Sequence, residues 1–178
     1  MDHNDHVRLI RGGVQGAGEV WADFGAGAGA FTLALADVLG AGAEIHAIDR
    51  DAKALQRNAA AMASRFPSVA FAQHAADFTD PLELPPLDGF VVANSLHFQA
   101  DASSVLRKLV KFLRPGGRAV VVEYNTSRAT FAVPFPIPFE AWERIAAHAG
   151  FERTELLVRR PSRTFTEIYS AVSRLPRG

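Results

Sequence analysis

Three groups of residues in this chain have the types and spacing to do chemistry. Asp23 closes an apolar run, V-W-A-D, and Gly25, Gly27 and Gly29 follow at alternate positions before a helical pattern begins at Phe31. Alternating glycines between a strand and a helix let the backbone turn tightly and let a ligand approach the main chain. The helix start behind them offers free N–H groups to a polar or anionic group. The second group is acidic. Asp49 ends the run I-H-A-I-D, 20 residues beyond Gly29, and Asp77 ends H-A-A-D. An acid at the place of Asp49 can accept both hydroxyls of a ribose. The third group is His97, in N-S-L-H-F, and Tyr124, in V-V-V-E-Y, each just beyond or at the end of an apolar run. Histidine titrates near neutral pH and is a candidate general base. The pattern points to a nucleotide-like ligand at the carboxyl edge of a set of strands, with titratable groups beside it.

Those positions require strands that end together. Strand-like runs are expected at Glu19–Asp23, Glu44–Asp49, Val69–Gln73, Asp88–Ala93 and Arg118–Tyr124, with two more at Phe151–Arg159 and Thr164–Val172. Helical runs fall between them. Phe31, Leu35 and Leu39 recur at helical spacing up to Gly40. Asp51 to about Ser64 is rich in alanine. Val105, Leu109 and Phe112 share a face, with Asp101 or Ser103 as N-cap and R-P-G-G as the stop. Phe139–Ala149 turns Trp142, Ile145 and Ala149 inward and ends at Gly150. Such alternation predicts a mainly parallel sheet with helices on both faces. The last two strands are joined too closely for a crossover helix, so they pair antiparallel.

Asp23, Gly25, Gly27 and Gly29 form D-x-G-x-G-x-G, which resembles motif I of the class I, Rossmann-like S-adenosylmethionine-dependent methyltransferases. Gly25, Gly27 and Ala30 also satisfy G-x-G-x-x-A, a dinucleotide pattern, so the loop alone leaves both readings open. Asp23 and the early third glycine favour the first. L-R-P-G-G, Leu113 to Gly117, is similar to that family's L-x-P-G-G turn before its fifth strand. The resemblance covers about Val7 to Val172. It implies an α/β, three-layer fold with a seven-stranded sheet, mainly parallel, and an antiparallel last strand. It implies S-adenosyl-L-methionine as cofactor, held by Asp23, Gly25, Ala26, Gly27, Gly29, Asp49, Arg50, Asp77, Phe78 and Asn94. Asp49 would take the ribose, Asp77 the adenine amino group, and the Asn94 segment the amino-acid end. His97 and Tyr124 are the catalytic candidates, with His97 expected to be structural more often than catalytic. N-S-L-H replaces the Asn/Asp-Pro-Pro-aromatic tetrad of enzymes that methylate base amines, so the resemblance is to the small-molecule type.

The expected activity is methyl transfer to a small, partly apolar acceptor by in-line displacement. A non-catalytic binding module is the alternative, and an NAD-dependent oxidoreductase the distant one. With 178 residues, one domain is expected over 1–178, with 1–18 an N-terminal helix or lead-in. Phe131, Phe135 and Phe139 alternate with prolines in and beside 125–138, expected to be a substrate wall or a partner-binding face. The site is open, or covered by a second subunit as in a homodimer, or covered by that loop. Arg159, Arg160 and Arg163 fall in the last hairpin, expected to be a solvated turn. Nineteen basic and nineteen acidic residues cancel, which argues against a nucleic-acid partner. No cysteine is present, which excludes disulfides, zinc–thiolate sites and thiol nucleophiles. No apolar run reaches membrane-spanning length, so a cytoplasmic protein is expected. His3, Asp5 and His6 lie near a terminus expected to fray, and no metal site is assigned to them.

Overall fold

A computed structural model describes residues 1–178 except Gln15, Ala17, Arg163, Thr164 and Thr166. The expectations placed on Arg163 and on the strand start at Thr164 therefore lie outside the described residues. The elements in chain order are α1 (His3–Ile10), β1 (Val20–Phe24), α2 (Ala30–Leu39), β2 (Glu44–Asp49), α3 (Ala52–Arg65), β3 (Ala70–Ala75) and β4 (Leu87–Ala93). After them come a short 3-10 turn (Leu96–Phe98), α4 (Ala102–Leu109), a second such turn (Val110–Phe112), β5 (Leu113–Tyr124), α5 (Phe139–His148), β6 (Arg153–Pro161) and β7 (Glu167–Arg174).

The seven strands form one sheet in the order β3-β2-β1-β4-β5-β7-β6. The first five run parallel, and β7 inserts antiparallel between β5 and β6. Being antiparallel to β7, β6 runs the same way as β5. Its hairpin with β7 therefore opens on the edge where β1, β2 and β4 end. The order reverses between β1 and β4, the place where ligands bind at the carboxyl ends of an open α/β sheet.

Alternation along the strands builds a core on each face. Ala22, Phe24, Phe90, Val92, Ala119 and Val121 pack with α4 and α5, around Trp142. Trp21, Ile45, Val91, Val120 and Val122 pack with α1 and α2, around Phe31 and Leu35. Gly89 is required here. A Cβ on it would stand 2.5 Å from the Trp21 ring, which fills the space beside β4.

The N-terminus is not frayed. Asp2 and Asp5 form a reciprocal capping box at the start of α1, and Leu9 and Ile10 are fully buried on the sheet. The apolar triplet Val7, Leu9, Ile10 pays the ordering entropy that a polar terminus could not. His3 bonds Asp37 at 2.9 Å, and Asp5 pairs with Arg160 at 2.5 Å. Among α-helix caps, Asp51 accepts from the N–H groups of Lys53 and Ala54, and Asp101, not Ser103, accepts from Ser104. In α5 the fully buried pair is Trp142 and Ala146, with Ile145 and Ala149 half-buried. Strand bounds are shifted from the expected ones by one to two residues at β1, β3, β4 and β6, β5 begins at Leu113 and so takes in the R-P-G-G stretch expected to precede it, and β7 extends to Arg174. Among the described residues no helix is long and apolar enough to cross a membrane.

Candidate functional site

The glycine loop is pinned to the neighbouring strand. Gly25 and Ala26 donate their N–H groups to Ile48 O at 2.8 and 3.0 Å. Gly27 N–H donates to Asp49 Oδ2 at 2.7 Å, and Asp51 N–H to Asp49 Oδ1 at 2.8 Å. Asp49 therefore joins the tip of one loop to the start of the next, and the cap of α3 is Asp51 instead. Each Asp49 oxygen keeps a second lone pair for a hydroxyl donor.

Two of the glycines are fixed by collision as well as by backbone. Gly25 has φ 81°, and a Cβ there would stand 2.5 Å from Ser95 Cβ. Gly29 has φ 99°, caps α2, and a Cβ there would stand 2.3 Å from Asn58 Oδ1. Asn58 belongs to a buried polar chain under the loop. Its Nδ2 donates to Thr32 Oγ1 at 2.8 Å, and Thr32 Oγ1 donates to Asp23 Oδ2 at 2.7 Å. Asp23 is 1% exposed. Burial pushes its carboxyl up to about 7, helped by the charge of Asp49 and opposed by the Thr32 bond.

A cavity of about 560 Å³ opens over this loop at the carboxyl ends of β1, β2 and β4. Gly25, Asp49, Arg50, Asp77, Phe78 and Asn94 line it, so six of the twelve residues singled out by sequence meet there. Asp77 Oδ1 accepts from the Thr79 N–H at 2.9 Å and the Thr79 hydroxyl at 2.7 Å. Those bonds hold its carboxyl below the usual carboxylate range. The Phe78 ring sits edge-on to Phe24, centroids 6.3 Å apart, and is anchored in the core while reaching the cavity. Asn94 adopts φ 49°, rare for a residue with a side chain, and its Oδ1 is buried without a partner among the described residues.

Six singled-out residues lie off that surface. Asp23, Ala26, Gly27 and Gly29 support it from beneath. His97 is 2% exposed and does not line the cavity. Its Nδ1 is 2.6 Å from Glu123 Oε2, and its backbone N–H is 3.3 Å from Glu123 Oε1. Glu123 is fully buried. Sequence reading missed Glu123 and took its neighbour Tyr124 as the partner from β5. Alternation explains the difference, since consecutive residues of a strand face opposite sides.

Tyr124 lines a second cavity, of about 610 Å³, with Met1, Asp5, Arg160, Pro161 and Ile168. The two cavities flank the same strand ends. The His97 ring lies 4.4 Å from that of Phe98, on the wall of the first, and 6.2 Å from that of Tyr124, on the wall of the second.

The 125–138 segment is fastened by other residues than its phenylalanines. Val133 and Ile137 are buried, whereas Phe131 is fully exposed and Phe135 half-exposed. Phe135 N–H donates to His97 O at 3.0 Å, and Tyr169 OH donates to Ile137 O at 2.8 Å.

A family model described as a methyltransferase domain matches residues 22–119, more than half of the chain. Among solved structures, the YcgJ protein of Bacillus subtilis is 12% identical with a TM-score of 0.73, over 99% of this chain and 100% of that one. Phosphoethanolamine N-methyltransferase 2 of Haemonchus contortus, solved with S-adenosyl-L-methionine, is 16% identical with a TM-score of 0.76, over 98% of this chain and 53% of that one. A putative O-methyltransferase of Nostoc punctiforme is 21% identical with a TM-score of 0.73, over 96% and 56%. The chain thus spans the whole of the first and about half of the other two. At these identities the likeness is one of fold. A search of curated proteins by sequence found no match.

Proposed function

The chain belongs to the methyltransferase-domain family, and from that premise we propose that it transfers a methyl group to a small, partly apolar acceptor held beside Tyr124. The cofactor of this family and fold is S-adenosyl-L-methionine. The observation that carries the reading is the first cavity, where Asp49, Asp77 and the unpartnered Asn94 Oδ1 converge over the glycine loop. A nucleoside with an amino-acid tail fits that donor and acceptor set. Asp49 takes the ribose hydroxyls with its free lone pairs, and Asp77 accepts from the adenine amino group. The Asn94 side chain meets the tail. Arg50 flanks the base, and Phe78 gives it an apolar floor.

When bound, the cofactor supplies a methyl group already electrophilic on sulfonium. The chain's own work is then to bind, orient and exclude water. The second cavity suits the acceptor. Tyr124, Ile168, Pro161 and Met1 give it apolar contact, and the Arg160–Asp5 pair a polar end. His97 holds the junction at which the two sites meet in place, through Glu123 on one side and Phe135 N–H on the other. That makes transfer driven by proximity, with Tyr124 the titratable hydroxyl at the acceptor. The non-catalytic alternative draws on the exposed Phe131 and Phe135, which would then serve a partner.

Replacing Asp49 by alanine is expected to weaken S-adenosylhomocysteine binding by roughly 1.5–3 kcal/mol, the range for hydrogen bonds to a charged group. Calorimetric titration reads it, with melting temperature as a control because Asp49 also ties two loops. Unchanged affinity in a folded variant would leave Asp49 only that structural role. Incubation with methyl-labelled cofactor and a panel of small hydroxyl, amine and carbon acids then separates enzyme from module. Turnover on one of them supports the enzyme, and tight cofactor binding with no turnover on any supports the module.

A further inference from the structure

A second set of chemically unusual residues lies at the opposite edge of the sheet, where β4 and β5 begin and β7 ends. Arg114, Arg118, Arg174 and Arg177 frame a cavity of about 240 Å³, with Glu19 and Asp88 as the carboxylates on its wall. The chain as a whole carries no net charge, so this concentration is local.

Both carboxylates are already engaged. Glu19 Oε2 accepts from the Trp21 indole at 2.8 Å and from Arg118. Asp88 accepts from Arg114 at 2.6 Å through one oxygen and from the Val20 N–H at 2.8 Å through the other. Arg174 and Arg177 have no carboxylate partner among the described residues.

The strand register adds an independent observation. Arg118 of β5 lies directly opposite Arg174 of β7, and Arg174 lies directly opposite Arg153 of β6. Like charges facing each other across neighbouring strands destabilise a sheet. Arg153 is relieved by Glu155 at 2.6 Å. Arg118 cannot swing away, being 9% exposed and stacked 5.2 Å from the Trp21 ring centroid. Arg174, half-buried beside it, lacks a counter-charge.

The frame is also held in place. Gly116 N–H donates to Pro176 O at 2.7 Å, and Leu175 N–H to Gly117 O at 2.9 Å, so the residues after β7 are tied across the Pro-Gly-Gly turn. A Cβ on Gly116 would stand 3.3 Å from Arg177 Cγ, which places the stem of Arg177 against that turn.

We propose that this cavity binds a phosphate-type oxyanion, either free or as the phosphate end of a nucleotide. Planar guanidinium forks match tetrahedral oxyanions with paired hydrogen bonds. Two arginines without counter-charges suit a group carrying two negative charges. A bound anion would give Arg174 the counter-charge that Glu19 gives Arg118.

The full chain is titrated calorimetrically with inorganic phosphate and with pyrophosphate at fixed ionic strength, because screening alone would alter the arginine pair. The expected result is saturable binding that weakens about ten-fold or more in Arg174→Gln and in Arg177→Gln. Arg128→Gln, at an exposed arginine beyond the opposite end of β5, should leave it unchanged. A further arm adds ADP after saturation with S-adenosylhomocysteine. Tighter binding of ADP than of pyrophosphate identifies a nucleotide, and equal binding identifies the phosphate group alone. Absence of saturable phosphate and pyrophosphate binding overturns the proposal, as does an equal loss in Arg128→Gln. The phosphate and pyrophosphate arms need no cofactor, so their outcome is separate from that of the methyl-transfer reading.

Discussion

Replacing Glu123 by alanine is expected to lower the melting temperature by roughly 6–20 °C, the largest stability effect of any single change in the site region. Glu123 is fully buried and holds both the Nδ1 and the backbone N–H of His97. Its removal leaves those groups without an acceptor in a region shut off from water. Breaking a buried pair in this way costs about 3–5 kcal/mol. The same carboxylate, after burial itself, helps hold the Tyr169 hydroxyl well above its ordinary value, so Tyr169 should titrate more easily in the variant. The double variant Glu123→Leu with His97→Phe is expected to recover part of the loss, because an apolar pair leaves no side chain unsatisfied and only the backbone N–H of residue 97 loses its acceptor. Thermal unfolding of the single and double variants checks this. If the double variant still turns over acceptor, His97 only positions the junction of the two cavities. Turnover lost about 10²-fold or more at unchanged cofactor affinity would instead put the imidazole on the reaction as a base.

The second large effect concerns Asp23. Its carboxyl in the folded chain is raised to about 7, first by burial and then by the charge of Asp49, against an ordinary 3.8. The folded form therefore holds this proton more tightly than the unfolded one. Below about pH 4 both forms are protonated and the group costs nothing. As pH rises from about 4 to about 7, the unfolded chain releases the proton first and the fold loses stability. Above pH 7 the loss levels off, at a few kcal/mol for a shift of this size. Asp23→Asn keeps an acceptor for Thr32 and removes the charge. It is expected to be more stable than the parent at pH 7.5, with most of that gain gone at pH 4.5, as read from urea unfolding at both values. A stability difference independent of pH would contradict the raised value. A buried acid that costs stability at the end of β1, directly beneath the glycine loop, fits a residue retained for function.

Much of the fold was legible because its signals are local. Apolar runs closed by an acid or asparagine, glycines after β1 and Gly40 after α2 each act over a few residues. Asp49 and Asp77 were legible for the same reason, since each ends a strand or opens the loop beyond it, and all such ends share one edge. Glu123 was not. It sits in V-V-V-E-Y, where an acid near the end of a strand reads as solvated, and its partner His97 is 26 residues away on another strand end. Only the packing of β4 beside β5 brings them together. The facing of Arg118 and Arg174 was hidden in the same way, because the register of β7 against β5 depends on a hairpin whose turn the sequence does not specify. The N-terminal helix was expected, but not its order. Its buried side, Val7, Leu9 and Ile10, is short, and the Asp5–Arg160 pair across the molecule, which adds to that burial, joins residues far apart in sequence.

We propose that the cavity over the glycine loop holds S-adenosylmethionine for methyl transfer. Thermal unfolding of the parent chain with S-adenosylhomocysteine, and in parallel with NAD, tests it most directly. A ligand that binds only the folded form raises the melting temperature with concentration. A concentration-dependent rise is expected with S-adenosylhomocysteine, smaller in Asp49→Ala, and none with NAD. A rise with NAD and none with S-adenosylhomocysteine would contradict it.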